Sequence, residues 1–168
     1  IAPDIYRALQ SSEDKPLFNR ALKGQYPPGS TVKPFIGLAG LEMGAVDINH
    51  KNYCPGFYQL PGHSHRYRDW KRGGHGSMDL PDAIIQSCDV YFYDLGRRLT
   101  IARMYEYLRP FGLGERTGID TTNERRGVLP SLDDPLGVRR NHRAAVVIDG
   151  HRVFENLLRF KVAQVDDR

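Results

Sequence analysis

Gln25-Tyr26-Pro27-Pro28-Gly29-Ser30-Thr31-Val32-Lys33-Pro34-Phe35 is the stretch on which the reading of this chain turns. Tandem proline and then glycine end whatever precedes them. After Ser30 the apolar residues Val32, Phe35, Ile36, Ala39 and Met43 recur at helical spacing until Gly44 supplies a C-cap. The pattern predicts a helix with Ser30 at its N-terminus and Lys33 one turn along the same face. Free backbone N–H groups and the positive end of the helix dipole favour negative charge at such a place, which helps a hydroxyl become an alkoxide. A lysine amine held near a serine and partly withdrawn from water can take the serine's proton, so the two residues form a candidate nucleophile and base. Read by itself, a Ser-x-x-Lys quartet carries little weight, because it recurs by chance and a serine at a helix start is most often only a cap. Gly37 and Gly40 continue the helix without side chains, so another segment can approach closely.

A chain of 168 residues suits one domain with a core of its own. Its composition is polar and rich in turn formers: 40% hydrophobic residues with nine tyrosines among them, 17 glycines, 11 prolines and a mean hydropathy of −0.52. Such usage fits an irregular domain or a piece of a larger one. The net charge is +4 and the pI about 9.1, but the basic residues are scattered among acids. No basic run is interleaved with aromatics, so the charge reads as a solvated surface and nucleic acid is not an expected partner. No stretch approaches the roughly 18 apolar residues of a membrane span, and Ile1 opens neither a signal peptide nor a natural start. The expectation is an excised segment.

Along the chain, Ile5 and Leu9 predict a short helix, and Leu17 to Ala21 an extended or turn segment. Residues 44–78 are rich in Gly, Pro, His and Tyr without sustained period, and predict a long ordered loop that something must hold in place. Asp79 is the expected N-cap of a helix through Ala83 and Ile85. Val90 to Leu99 predicts a second helix, and Thr100 caps a third carrying Ile101, Met104, Tyr105 and Leu108. Residues 132–168 change character: Arg143 to Phe154 around Asp149-Gly150 carries a hairpin signal, and no chemistry is evident there. Two cysteines, Cys54 and Cys88, leave three readings open: a disulfide, buried thiols, or metal ligation.

With Tyr-Pro-Pro-Gly-Ser-Thr-Val-Lys-Pro at 26–34 in view, the chain resembles the class B penicillin-binding proteins of the rod-shape elongation type. Further blocks follow in the family's order: Pro55-Gly56-Phe57-Tyr58-Gln59-Leu60-Pro61-Gly62, Tyr67-Arg68-Asp69-Trp70-Lys71, Gly74-His75-Gly76, Ser87-Cys88-Asp89, Phe111-Gly112-Leu113-Gly114 and Thr117-Gly118-Ile119-Asp120. The resemblance covers Pro16 to Ser131. It implies an α/β fold, the mostly helical portion of a transpeptidase domain of the penicillin-binding-protein and serine β-lactamase type, with residues 1–131 as the partial domain and 132–168 unassigned. It also implies a serine D,D-transpeptidase that cross-links peptidoglycan through an acyl-enzyme and is acylated by β-lactams. Ser30 would be the nucleophile and Lys33 its base. Ser87 and Asp89 would form the second motif, with Ser87 relaying a proton, which a hydroxyl can do because it both donates and accepts. Implied partners are stem peptides, β-lactams, a membrane glycosyltransferase and other elongation-complex proteins. The implied location is the periplasmic side of the bacterial inner membrane, with the anchor outside this chain.

The family's third motif, Lys-Thr-Gly or Lys-Ser-Gly on a strand lining the cleft, occurs nowhere in these residues, and most of the central antiparallel sheet is expected to be absent. Two other functions compete: a non-catalytic fragment or degenerate copy acting in interaction, and a serine β-lactamase, against which the Tyr-Arg-Asp-Trp and Gly-His-Gly blocks argue. Cys54, Asp69, His75 and Cys88 offer two thiolates, a carboxylate and an imidazole, donors that suit tetrahedral zinc, although no compact Cys-x-x-Cys pair is present. The resemblance implies a structural zinc here. Some members carry one beside the active serine with Asp, Asp, His and Cys at these four positions, so Cys54 is a departure that keeps an able ligand.

Overall fold

The structure is a computed structural model that describes residues 1–132; the hairpin expected within 143–154 and the rest of the tail lie outside the described residues. Five α-helices occur among them: α1 (Pro3–Ser11), α2 (Arg20–Lys23), α3 (Lys33–Glu42), α4 (Leu80–Ile85) and α5 (Asp89–Leu108). Between α3 and α4 lie four three-residue strands, β1 (Asn52–Cys54), β2 (Phe57–Gln59), β3 (Arg66–Arg68) and β4 (Gly76–Met78). They form two antiparallel pairs. β1 lies against β4 with Cys54 opposite Gly76, and β2 against β3 with Tyr58 opposite Tyr67. None of these helices is long and apolar enough to cross a membrane.

The core forms where α3 packs on α5 and α4. Val32 just before α3, and Ile36 and Ala39 on it, join Leu80 and Ala83 of α4 and Val90, Tyr91, Phe92, Leu95 and Leu99 of α5 in one cluster, all buried. The bare glycines of α3 set the spacing, since a Cβ on Gly37 would press on Leu80 and one on Gly40 on Leu95 and Val46. α5 is buried on most sides, which is why its sequence shows a continuous apolar run. Its ladder breaks at Thr100, with φ 64° and ψ 160°, so the boundary expected there is a kink within one element. Apolar surface remains on the outside: Phe35 and Leu38 of α3, Ile84 and Ile85 of α4, and Phe111 and Leu113 beyond α5 are all exposed. Phe35 and Phe111 meet edge to face at 5.2 Å.

Two expectations require correction. The stretch 44–78 is not a single loop, because the strand pairs organise its middle. Strands of three residues are too short to display alternation, so periodicity could not reveal them. Leu17 to Ala21 begins as the expected turn but does not end as one: Asn19 accepts a hydrogen bond from Leu22 N–H and starts α2 at Arg20. By contrast, the Asp79 carboxylate caps α4 as expected, accepting from Asp82 N–H at 2.9 Å.

The strand pairs are pressed together at two glycines. A Cβ on Gly74, which has φ +74°, would collide with the Cys54 carbonyl and the Gly56 backbone, whereas one on the neighbouring Gly73 would meet open space. Gly74→Ala is therefore expected to destabilise the chain by about 2–4 kcal/mol through backbone strain and collision, and Gly73→Ala by less than about 0.5 kcal/mol. Urea unfolding of the two variants checks this, and equal midpoints would refute the close approach.

Candidate active site

Gly29, at φ +56°, adopts the left-handed conformation that lets the chain turn out of Pro27-Pro28. Residues Gly29–Val32 then form one 3₁₀ turn, and α3 proper begins only at Lys33, whose N–H donates to the Ser30 carbonyl. Ser30 thus sits in the tighter turn that leads into the helix, one step earlier than expected. Lys33 is buried, its amine 5.4 Å from the centroid of the Phe92 ring.

Ser87 comes from the other wall. α4 ends at Ile85, and Ser87 takes φ 53°, a left-handed conformation that is uncommon for a residue with a Cβ. The turn satisfies its own donors. Gln86 N–H donates to Asp82, Ser87 N–H to Ile84 and Cys88 N–H to Ala83. Folding back in this way brings Ser87 Oγ to 2.8 Å from Ser30 Oγ. Lys33 Nζ lies 2.9 Å from Ser87 Oγ, 2.8 Å from the Ser87 carbonyl and 2.7 Å from Asp89 Oδ1. All four residues singled out in the sequence, Ser30, Lys33, Ser87 and Asp89, therefore meet. Ser30 reaches Lys33 through the Ser87 hydroxyl, a connection the spacing within Ser-x-x-Lys does not disclose.

The second constellation adjoins the first. The ligand atoms of Cys54, Asp69, His75 and Cys88 lie within 4.8 Å of one another and are shielded from water. Cys54 Sγ is 3.5 Å from Asp69 Oδ2 and 3.6 Å from His75 Nδ1; Cys88 Sγ is 3.5 Å from Asp69 Oδ2; His75 Nδ1 is 3.5 Å from Asp69 Oδ1. Both cysteines are free thiols. Strand β1 ends in Cys54, His75 stands just before β4, β3 leads into Asp69, and Cys88 stands just before α5.

Burial drives the Asp69 carboxyl upward, but the N–H groups of Lys71 and Val90, the Cys88 thiol and the neighbouring His75 together hold it below the usual carboxylate range. Burial pushes the Cys88 thiol far up, against the Tyr91 N–H, and the adjacent Cys54 and Asp69 add to the push. His75 Nε2 is buried without a hydrogen-bond partner among the described residues. A carboxylate held in its ionised form beside the Cys88 thiol, whose ionisation burial opposes, makes a cluster short of positive charge, which a divalent cation would supply. Tetrahedral zinc with bonds of about 2.0 to 2.3 Å has ligand–ligand edges of about 3.5 Å for these atom types, so the donors present fit such an ion.

The sequence reading missed two contributions. Asp69 Oδ2 also accepts from Asp89 N–H at 2.9 Å and Val90 N–H at 3.2 Å, so it caps α5 from a distant segment. The available signal was negative: Cys88 stands at the N-cap of a long helix and provides no side-chain cap of its own. Trp70, on the segment just after β3, donates its indole N–H to the Gln86 carbonyl at 3.1 Å.

A family profile for the penicillin-binding protein transpeptidase domain matches residues 5–141. The peptidoglycan D,D-transpeptidase MrdA of Acinetobacter baumannii is 43% identical over 136 residues, covering 81% of this chain and 20% of that protein. The crystal structure of Pseudomonas aeruginosa PBP2 in complex with WCK 5153 superposes with a TM-score of 0.82 at 40% identity, covering 96% of this chain and 36% of that one. PBP2 of Helicobacter pylori, solved in complex with MreC, gives a TM-score of 0.75 at 39% identity over 84% of this chain and 26% of that one. The chain spans about a fifth of the length of its curated relative MrdA. Serine–serine–lysine contacts at the junction of two helices, on a fold shared with PBP2 structures, agree with the profile match: the chain belongs to the penicillin-binding protein transpeptidase family.

Proposed function

We propose that the chain carries the nucleophilic half of a serine D,D-transpeptidase site, in which Ser30 is acylated by the D-Ala-D-Ala end of a stem peptide and by β-lactams. The continuous hydrogen-bond path from Ser30 Oγ through Ser87 Oγ to Lys33 Nζ is the observation that supports this reading. A neutral Lys33 amine keeps two N–H groups for the Ser87 carbonyl and Asp89 and turns its lone pair to the Ser87 hydroxyl. As Ser30 attacks the carbonyl, its proton passes to Ser87 Oγ while the Ser87 proton passes to Lys33. The reverse path protonates the departing amine of D-alanine. Asp89 holds the lysine in place through the 2.7 Å contact from Nζ to Oδ1. The acyl group then moves to an amine of a neighbouring stem peptide. Lys-Thr-Gly is absent from this sequence, so these residues do not themselves supply the oxyanion donors of that strand.

In this reading the working protein acts on the periplasmic side of the inner membrane, beside a glycosyltransferase and elongation-complex proteins. The H. pylori PBP2–MreC complex supports a protein partner by analogy. Cys54, Asp69, His75 and Cys88, whose ligand atoms lie within 4.8 Å of one another, would hold a structural zinc ion. When bound it would supply the positive charge the cluster lacks and would tie the strand pairs to the turn that carries Ser87.

Intact-mass spectrometry of the full-length protein treated with penicillin is expected to show one adduct, lost in Ser30→Ala; an adduct that survives the change refutes the assignment. Lys33→Arg keeps the charge and cannot act as a base. Acylation is expected to fall by about a hundredfold or more while the melting temperature changes little, and near-normal acylation would make Lys33 a structural residue only. Elemental analysis of protein purified without a metal-affinity tag is expected to give about one zinc per chain, with two thiols titrating only after chelation. Absence of metal together with absence of free thiol would establish a Cys54–Cys88 disulfide instead.

A further inference from the structure

Among the described residues, the turn that joins α4 to α5 has its donors met from within and its acceptors met from outside. The N–H groups of Gln86, Ser87 and Cys88 return to the last carbonyls of α4. The Ser87 carbonyl is held by Lys33 Nζ, and the Gln86 carbonyl by the indole N–H of Trp70. Ser87 sits between these two clamped carbonyls at φ 53°, a conformation that costs free energy and persists only where the surroundings impose it.

Trp70 is the sole tryptophan of the chain and its side chain is 63% exposed, so core packing does not account for it. Its definite contacts are the bond to Gln86 and an edge-on approach to the His75 ring, with centroids 5.3 Å apart. It follows Asp69 directly, so one short segment reaches the α5 N-terminus through Asp69 and the Ser87 turn through Trp70.

We propose that Trp70 is a positioning residue of the acylation machinery: its indole N–H, by fixing the Gln86 carbonyl, holds Ser87 in the left-handed turn that places its hydroxyl between Ser30 and Lys33. The proposal rests on the serine mechanism above. Without that bond the peptide joining Gln86 and Ser87 keeps only its 3.2 Å N–H bond to the Ile84 carbonyl, the turn loosens, and the Ser87 hydroxyl spends less time at the 2.8 Å and 2.9 Å contacts that close the proton path. Substrate binding before chemistry does not use the bond, so the effect falls on the rate constant of acylation.

The test replaces Trp70 in the full-length protein with β-(3-benzothienyl)alanine, which has sulfur where indole has N–H and is otherwise nearly the same shape, alongside Trp70→Phe. Stopped-flow acylation by a chromogenic β-lactam separates the affinity of the first complex from the acylation rate constant. The expected result for both replacements is a fall of roughly tenfold in the rate constant, the equivalent of one lost hydrogen bond, with unchanged affinity and melting temperature. An unchanged rate constant in the benzothienyl protein overturns the proposal. So does a loss in affinity with the rate constant preserved, which would make Trp70 a substrate contact. Ser30→Ala is assayed beside them. Persistent acylation in that variant defeats the serine mechanism itself, whereas acylation confined to Ser30 with no effect of the replacement defeats only the role of Trp70.

Discussion

Much of the described structure depends on one buried carboxylate. α5 is the longest helix, it contributes much of the core, and its N-terminal N–H groups receive no cap from Cys88. Asp69 supplies that cap from twenty residues upstream of Asp89, accepting from Asp89 and Val90 with Oδ2 and from Lys71 with Oδ1. A negative charge at this pole is favoured by the helix dipole and by the N–H groups, and the folded chain holds the carboxyl below its usual range although burial opposes this. The same oxygen atoms face Cys54, Cys88 and His75. Asp69 therefore orients the helix from which Asp89 reaches Lys33 and belongs as well to the four-residue donor cluster.

The triplet Ser87-Cys88-Asp89 shows how tightly these tasks are interleaved. Its first residue joins the serine pair, its second faces the donor cluster, and its third pairs with Lys33. A turn with φ 53° at its first residue sends neighbouring side chains to different partners within three positions, which a regular helix or strand could not do. The left-handed conformation is in this sense a structural requirement of the site.

How much of this was legible in the sequence follows from what each signal measures. Periodicity revealed α3 and both halves of α5, because long helices repeat their burial pattern several times, and side-chain chemistry revealed the Asp79 cap. The candidate residues followed from ordered motif blocks, and the fold brings each set of four close together. What stayed hidden was relational. The Ser87 bridge between Ser30 and Lys33, the remote cap by Asp69 and the clamp by Trp70 each join segments whose spacing carries no periodic signature. The four short strands escaped for a different reason, since three residues do not establish an alternation.

The apolar residues left on the outside of α3, α4 and the segment beyond α5 have a practical consequence for anyone handling this chain in solution. Phe35, Leu38, Ile84, Ile85, Phe111 and Leu113 are between 37% and 79% exposed, while a net charge of only +4 provides weak mutual repulsion between copies. Added salt screens that repulsion and strengthens the attraction between greasy surfaces. Contacts between copies through these side chains are accordingly expected to grow as ionic strength and concentration rise.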